Sequence, residues 1–106
     1  MTKNDKESKS PLSDIDRIIH EPARLMIMAH LYVIESADFL FLMRQTGLTW
    51  GNLSSHLSKL ENANYVEIKK EFKGKKPHTM LRLTNKGRDS FKKYVESMKQ
   101  VMDELS

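Results

Sequence analysis

Cysteine is absent from the 106 residues. That absence excludes a disulfide framework, a thiolate zinc site and a thiol nucleophile. Long apolar runs are missing too. The longest uncharged apolar stretch, Leu25 to Ile34, falls well short of the ~20 residues that a membrane span needs, so a buried helix is expected there. The opening MTKNDKESKS is polar and charged, unlike a signal peptide. A protein of the cytoplasm, with no membrane partner, is expected. Enzyme motifs are wanting as well: no Ser–His–acid arrangement, Gly-rich phosphate loop or paired carboxylates stand out. No catalytic residue or cofactor is therefore expected. Nor does any internal repeat or low-complexity segment appear.

What remains fits one globular domain. Hydrophobic residues make up 39% and charged residues 30%, and the net charge is +4. A chain of this length can bury about two thirds of its unfolded surface without staples. The polar residues 1–11 read as a disordered arm and residues 12–106 as the domain. The charge is unevenly spread: residues 65–82 hold six Lys and Arg against two Asp and Glu. Such a cluster is either a solvated face or the footprint of a polyanion, and the element that carries it decides which.

Leu12, Ile15, Ile18 and Ile19 have helical spacing, which predicts an N-terminal helix capped by Ser13. Pro22 restarts the chain into a helix apolar on most sides, hence central. A short extended piece is expected over Ser36 to Phe39. A helix beginning at Phe39 should stop at Gly47. Thr49 can cap the next helix, residues 49–63, whose seam is Leu53, Leu57 and Leu60. Tyr65, Val66, Ile68 and Phe72, then Met80, Leu81 and Leu83, flank Gly74-Lys75-Lys76-Pro77. They predict a hairpin with a long basic tip. Thr84-Asn85 opens a last helix, 85–106. The expected class is mainly α with a small β-hairpin: a winged helix-turn-helix with N- and C-terminal helices.

This order suits DNA, because a major groove about 12 Å wide admits one helix while cationic side chains on a hairpin neutralise nearby phosphates. The run Leu53, Ser54, His56, Leu57, Leu60, Glu61 resembles the recognition helix of small prokaryotic winged-helix regulators of the MarR and ArsR type. Leu83-Thr84-x-x-Gly87-Arg88 is similar to their strand-to-helix junction, and Glu21-Pro22-Ala23-Arg24-Leu25 to their helix opening. The resemblance spans about residues 12–98 and implies transcription regulation. Asn64 stands where the family would suggest Gly, and Asn also tolerates a left-handed backbone. The missing thiols exclude thiolate metal sensing, and His20, His30, His56 and His78 form no i,i+4 pair, so no metal is expected.

With Leu53, Leu57 and Leu60 inward, Gly51, Ser55, Ser58 and Asn62 project most directly outward, with Asn52 and Lys59 at the side. Expected DNA contacts are therefore Thr49, Gly51, Asn52, Ser55, Ser58 and Lys59. His56 falls between the faces, where a half-buried hydrogen bond is the leading reading and base contact the other. Trp50 is expected to pack near Leu53. Lys73, Lys75, Lys76 and His78 should form the wing tip, with Arg82 on its strand. Apolar positions Phe91, Tyr94, Met98, Val101, Met102 and Leu105 on the last helix, with Leu12, Ile15 and Ile19, are expected to join two copies. The expected partner is double-stranded DNA with a palindromic operator, read by a homodimer. The alternative is a winged-helix protein-interaction module without DNA readout. RNA binding is disfavoured, because the aromatics form no stacking platform.

Overall fold

The computed structural model describes residues 11–106; of the expected arm, all but Pro11 lies outside the described residues. A 3₁₀ turn, Pro11–Asp14, comes first. Here the fold departs from the expected helix over Leu12 to Ile19. The Asp16 carboxylate accepts the N–H groups of Ile18 and Ile19 at 2.8 and 3.1 Å. Such a local turn competes with helical pairing. Ile19 is fully buried, whereas Leu12 and Ile18 remain exposed.

Helix α1, Pro22–Val33, is central. Glu21 caps it by accepting the Arg24 N–H at 2.8 Å, and Pro22 occupies a first-turn position where an N–H is not required. Strand β1, Ala37–Asp38, leads directly into helix α2, Phe39–Thr46. Asp38 ends the strand and caps the helix, accepting the Phe41 N–H at 2.7 Å. Gly47, at φ 72°, closes α2; a Cβ would be strained in that left-handed backbone. Helix α3, Trp50–Asn62, starts three residues later behind its cap Thr49, which accepts the Asn52 N–H. Leu53, Leu57 and Leu60 are buried, as their spacing requires. Asn64, φ 63°, turns the chain out of α3.

Strands β2, Val66–Lys73, and β3, Lys76–Leu83, form the expected hairpin. The sheet has three strands in the order β1-β3-β2, since Ala37 and Asp38 pair with Leu81 and Met80. The expected long tip is a paired ladder almost to its end. Lys73 lies opposite Lys76, so only Gly74 and Lys75 form the turn. Alternation gives the hairpin two faces. Val66, Ile68, Leu81 and Leu83 turn toward the helices, and Glu67, Lys69, Met80 and Arg82 turn away.

Helix α4, Asn85–Leu105, returns across the core. Thr84 organises the junction. Its hydroxyl accepts the Gly87 N–H at 2.9 Å and donates to the Asn64 carbonyl at 2.6 Å. A Cβ on Gly87 would lie 2.1 Å from the Tyr65 carbonyl oxygen, so the strand-to-helix crossing closes only around glycine.

The core consists of side chains drawn from every layer: Ile27, Met28 and Leu31 of α1, Leu42 of α2, Leu53 and Leu60 of α3, and Leu81 of β3 are fully buried. Burial of each contributes roughly 1.5–3 kcal/mol. This core fixes the side of α3 that faces inward, and thereby the side that faces out.

Candidate nucleic-acid interface

The outer side of α3 is polar and made of small side chains. Gly51, Asn52, Ser55, Ser58 and Lys59 are all exposed, as the phase opposite Leu53–Leu57–Leu60 requires. Thr49 is exposed too, with its hydroxyl engaged as the cap. Trp50 differs from expectation. It is 61% exposed and leans on Phe39 of α2, with ring centroids 4.4 Å apart, rather than sinking beside Leu53.

Between α3 and the hairpin runs a groove lined by Trp50, Ser54, Ser58, Ile68, Lys70 and Thr79. The sequence puts Lys70 on a wing strand and Ser54 in the recognition-helix run, but neither is among the expected DNA contacts. The signal was present: Lys70 alternates with Ile68, and Ile68 lies against α3, so Lys70 shares its face. Beyond Lys70, exposed Lys73, Lys75 and Lys76 crown the hairpin. Lys73 and Lys76 are direct cross-strand partners. Like charges so placed are destabilising unless an anion is near.

Three expected contact residues are engaged within their own chain. His56 is half-buried, its Nδ1 3.2 Å from Arg24 Nη1 and its Nε2 3.9 Å from the Glu21 carboxylate. The fold thus brings to His56 an acid that its sequence neighbourhood lacks. Both ring nitrogens face these charged partners, and the ring braces α3 against the start of α1. His78 is not at the wing tip. It is half-buried on β3, with Nε2 3.9 Å from the Asp38 carboxylate and Nδ1 buried without a hydrogen-bond partner. Arg82 is paired with Glu67 across the strands, on the hairpin face turned away from α3.

Electrostatics reinforce the brace. Burial alone would push the Glu21 carboxyl up, but the Arg24 N–H, the neighbouring His56, the Arg24 guanidinium and the Ala23 N–H outweigh it. The carboxyl is held below its ordinary range. Charged Glu21 therefore faces both Arg24 and His56 of α3.

Of the expected dimer residues, Ile19, Phe91 and Tyr94 are buried in the chain's own core. The ring of Phe91 lies 5.1 Å from that of Tyr32, and the Tyr94 hydroxyl meets His20 Nδ1 at 2.8 Å. Sequence spacing alone does not separate them from their neighbours further along. Ile15 and Met98 are half-buried at the core's edge, and Val101 is half-exposed. Leu12, Met102 and Leu105 are exposed, at 49%, 65% and 82%.

Residues 23–102 match the winged helix DNA-binding domain family. The chain belongs to that family. This winged-helix protein is 39% identical over 85 residues to an uncharacterized protein of Methanocaldococcus jannaschii, covering 80% of this chain and 92% of the relative. It superposes on a transcriptional regulator homologue from Pyrococcus horikoshii with a TM-score of 0.87, at 32% identity over 92% of this chain and 99% of that one. YusO of Bacillus subtilis shares the fold, with a TM-score of 0.74 at 20% identity over 91% and 67% of the two chains. The winged-helix resemblance read from the sequence therefore holds for family and fold. Among the described residues, no helix is long and apolar enough to cross a membrane.

The motifs that carried the resemblance are mostly braces of the winged helix. Glu21, Pro22 and Arg24 start α1 and hold His56, and the Arg24 Nε also donates to the Ile18 carbonyl at 2.6 Å. Thr84 and Gly87 close the crossing from sheet to α4. Arg88 lies over the Tyr32 ring and donates to its carbonyl. Leu53, Leu57 and Leu60 fill the core. The exposed positions of α3 lie between these motif residues.

Proposed function

We propose that this winged-helix protein is a homodimeric, sequence-specific regulator of transcription, with α3 in the major groove and the basic hairpin on the phosphate backbone. One observation carries the reading: the exposed polar face of α3, the groove with Lys70, and the lysine-crowned hairpin adjoin one another. Small Gly51, Ser55 and Ser58 allow close approach to base edges. The Asn52 amide suits bidentate pairing with adenine, and Lys59 suits guanine or a phosphate. Thr49, at the start of α3, sits where a helix N-terminus favours a phosphate. Lys70, Lys73, Lys75 and Lys76 supply contacts without base code. His56, His78 and Arg82 leave the contact set because their side chains have partners within the chain.

The second subunit is inferred from the end of α4. An apolar stripe continues from Met98, at the core's edge, through half-exposed Val101 to exposed Met102 and Leu105. A two-fold copy would cover this stripe, with Leu12 and Ile15 beside it. It would also offer two α3 helices to half-sites about one helical turn apart, hence a palindromic operator. In this reading the protein acts in the cytoplasm, without cofactor, metal or catalysis.

Selection of duplexes from a random pool, followed by salt-dependent mobility shifts, tests both halves. Replacement of Lys73, Lys75 and Lys76 by Ala should weaken every duplex nearly equally. The log–log salt dependence should become shallower by about 0.9 for each phosphate contact removed. An unchanged slope in a folded variant overturns the wing assignment. A selected pool without two-fold symmetry overturns the dimeric one.

A further inference from the structure

We propose that Phe72 is an apolar wedge that the wing carries into the minor groove, opening one base step there. This rests on the DNA reading given above. Phe72 is 73% exposed at the end of a strand, and its cross-strand partner Pro77 is exposed as well. No core element covers the ring. Lys70 precedes it on the same face and Lys75 follows at the turn, while Lys73 and Lys76 project from the opposite face, so an uncharged partner surface would leave Lys70 and Lys75 desolvated beside it.

The face on which Phe72 lies identifies its occupant. Ile68, Lys70 and Phe72 alternate along one side of β2, opposite Leu81, Thr79 and Pro77. Ile68 packs at the core's edge and Lys70 borders the α3 groove. At about 3.4 Å per residue, Lys70 projects ~7 Å beyond Ile68 and Phe72 ~7 Å further. With α3 in the major groove, the next feature along the duplex is a phosphate strand, and after it the minor groove, about 6 Å wide. The same order recurs on the protein: helix, then a cation, then an apolar ring with Lys75 at the turn beyond it. A ring with Lys70 on one side and the turn lysine on the other matches a partner that is anionic at its rims and apolar between them. Apolar side chains inserted from this side unstack base steps and bend the duplex away from the protein. Trp50, also exposed, belongs to α3 and is held by Phe39, so it lies on the major-groove side of Lys70.

The test uses the full chain and a duplex selected by the wild type, with 2-aminopurine placed in turn at each step of the flanks and a dye pair at the ends. Wild-type binding should raise the fluorescence at one flank step and shorten the end-to-end distance. Phe72→Ala should bind on the order of tenfold more weakly, with neither signal and with the wild-type salt slope, since no phosphate contact is lost. Phe72→Leu should retain both signals. Because the position is exposed, circular dichroism and the melting temperature should match the wild type. Wild-type affinity and bend in Phe72→Ala overturn the wedge while leaving the DNA reading intact. So does a variant whose only change is weaker self-association, which would assign the ring to a contact between copies. Failure of the wild type to bind any duplex removes the DNA reading itself, and the wedge with it.

Discussion

Helix α4 divides near Val95. On the N-terminal side, Gly87, Phe91 and Tyr94 are buried against α1, the sheet and the first turn. On the C-terminal side, Met102 and Leu105 are 65% and 82% exposed. Apolar steps of three and four residues run through both halves without a break. The difference lies in what stands opposite. The near half crosses Tyr32, Tyr65 and His20, whereas the far half touches the core's edge at Met98 and ends in exposed Met102 and Leu105. Periodicity therefore specifies that a face is to be covered, not which molecule covers it.

Truncation on either side of the divide separates the halves most sharply. Phe91→Ala leaves a void beside Tyr32 and should destabilise the fold by about 3–5 kcal/mol. Leu105→Ala, measured at concentrations too low for association, should change stability by no more than about 0.5 kcal/mol. Comparable losses in urea melts would mean that the far half is also covered within one chain.

A second experiment asks what covers the far half. Val101→Asp combined with Met102→Asp should leave the circular dichroism spectrum unchanged and convert a dimer into a monomer by sedimentation. Specific DNA affinity should then fall by about 100-fold, as the second half-site contact is lost. Undiminished dimerisation would assign the interface to another surface.

The smallest effect expected is a pH dependence confined to the near half. Burial, then the hydrogen bond to Asp16, push the Tyr65 phenol above its ordinary value of 10.0, with Ser90 acting in the opposite direction. Burial pushes Tyr94 up as well. The folded state thus holds these protons more tightly than the unfolded chain. Their contribution to stability is complete below pH 10 and declines as pH rises through the raised values. Tyr65→Phe should flatten that alkaline decline in thermal melts, and an equally steep decline would exclude the phenol as its source.

Helix order, caps and core seams were legible in the sequence because each is a local pattern. Thr49, Thr84 and Gly47 act as their residue types suggest, and Asn64 adopts the left-handed turn expected of it. The N-terminal helix was misread because Asp16 captures the N–H groups that a helix would use. The surface of α3 divided along similar lines. The exposure of Gly51, Asn52, Ser55, Ser58 and Lys59 followed from phase alone, as did the half-buried place of His56. The partners of His56, His78 and Arg82 did not, because Arg24, Asp38 and Glu67 reach them through tertiary pairing. Lys70 and Phe72 required knowledge of which hairpin face adjoins α3.

The brace formed by Glu21, Arg24 and His56 leaves the outward positions of α3 without structural duties. Substitutions at Asn52, Ser55 or Ser58 can accumulate without disturbing the core, while changes at Arg24 or Gly87 are purged for the damage they do to folding. Under the DNA reading proposed above, descendants of such a gene can therefore drift to new target sequences through folded intermediates, keeping the same scaffold as their vocabulary diverges.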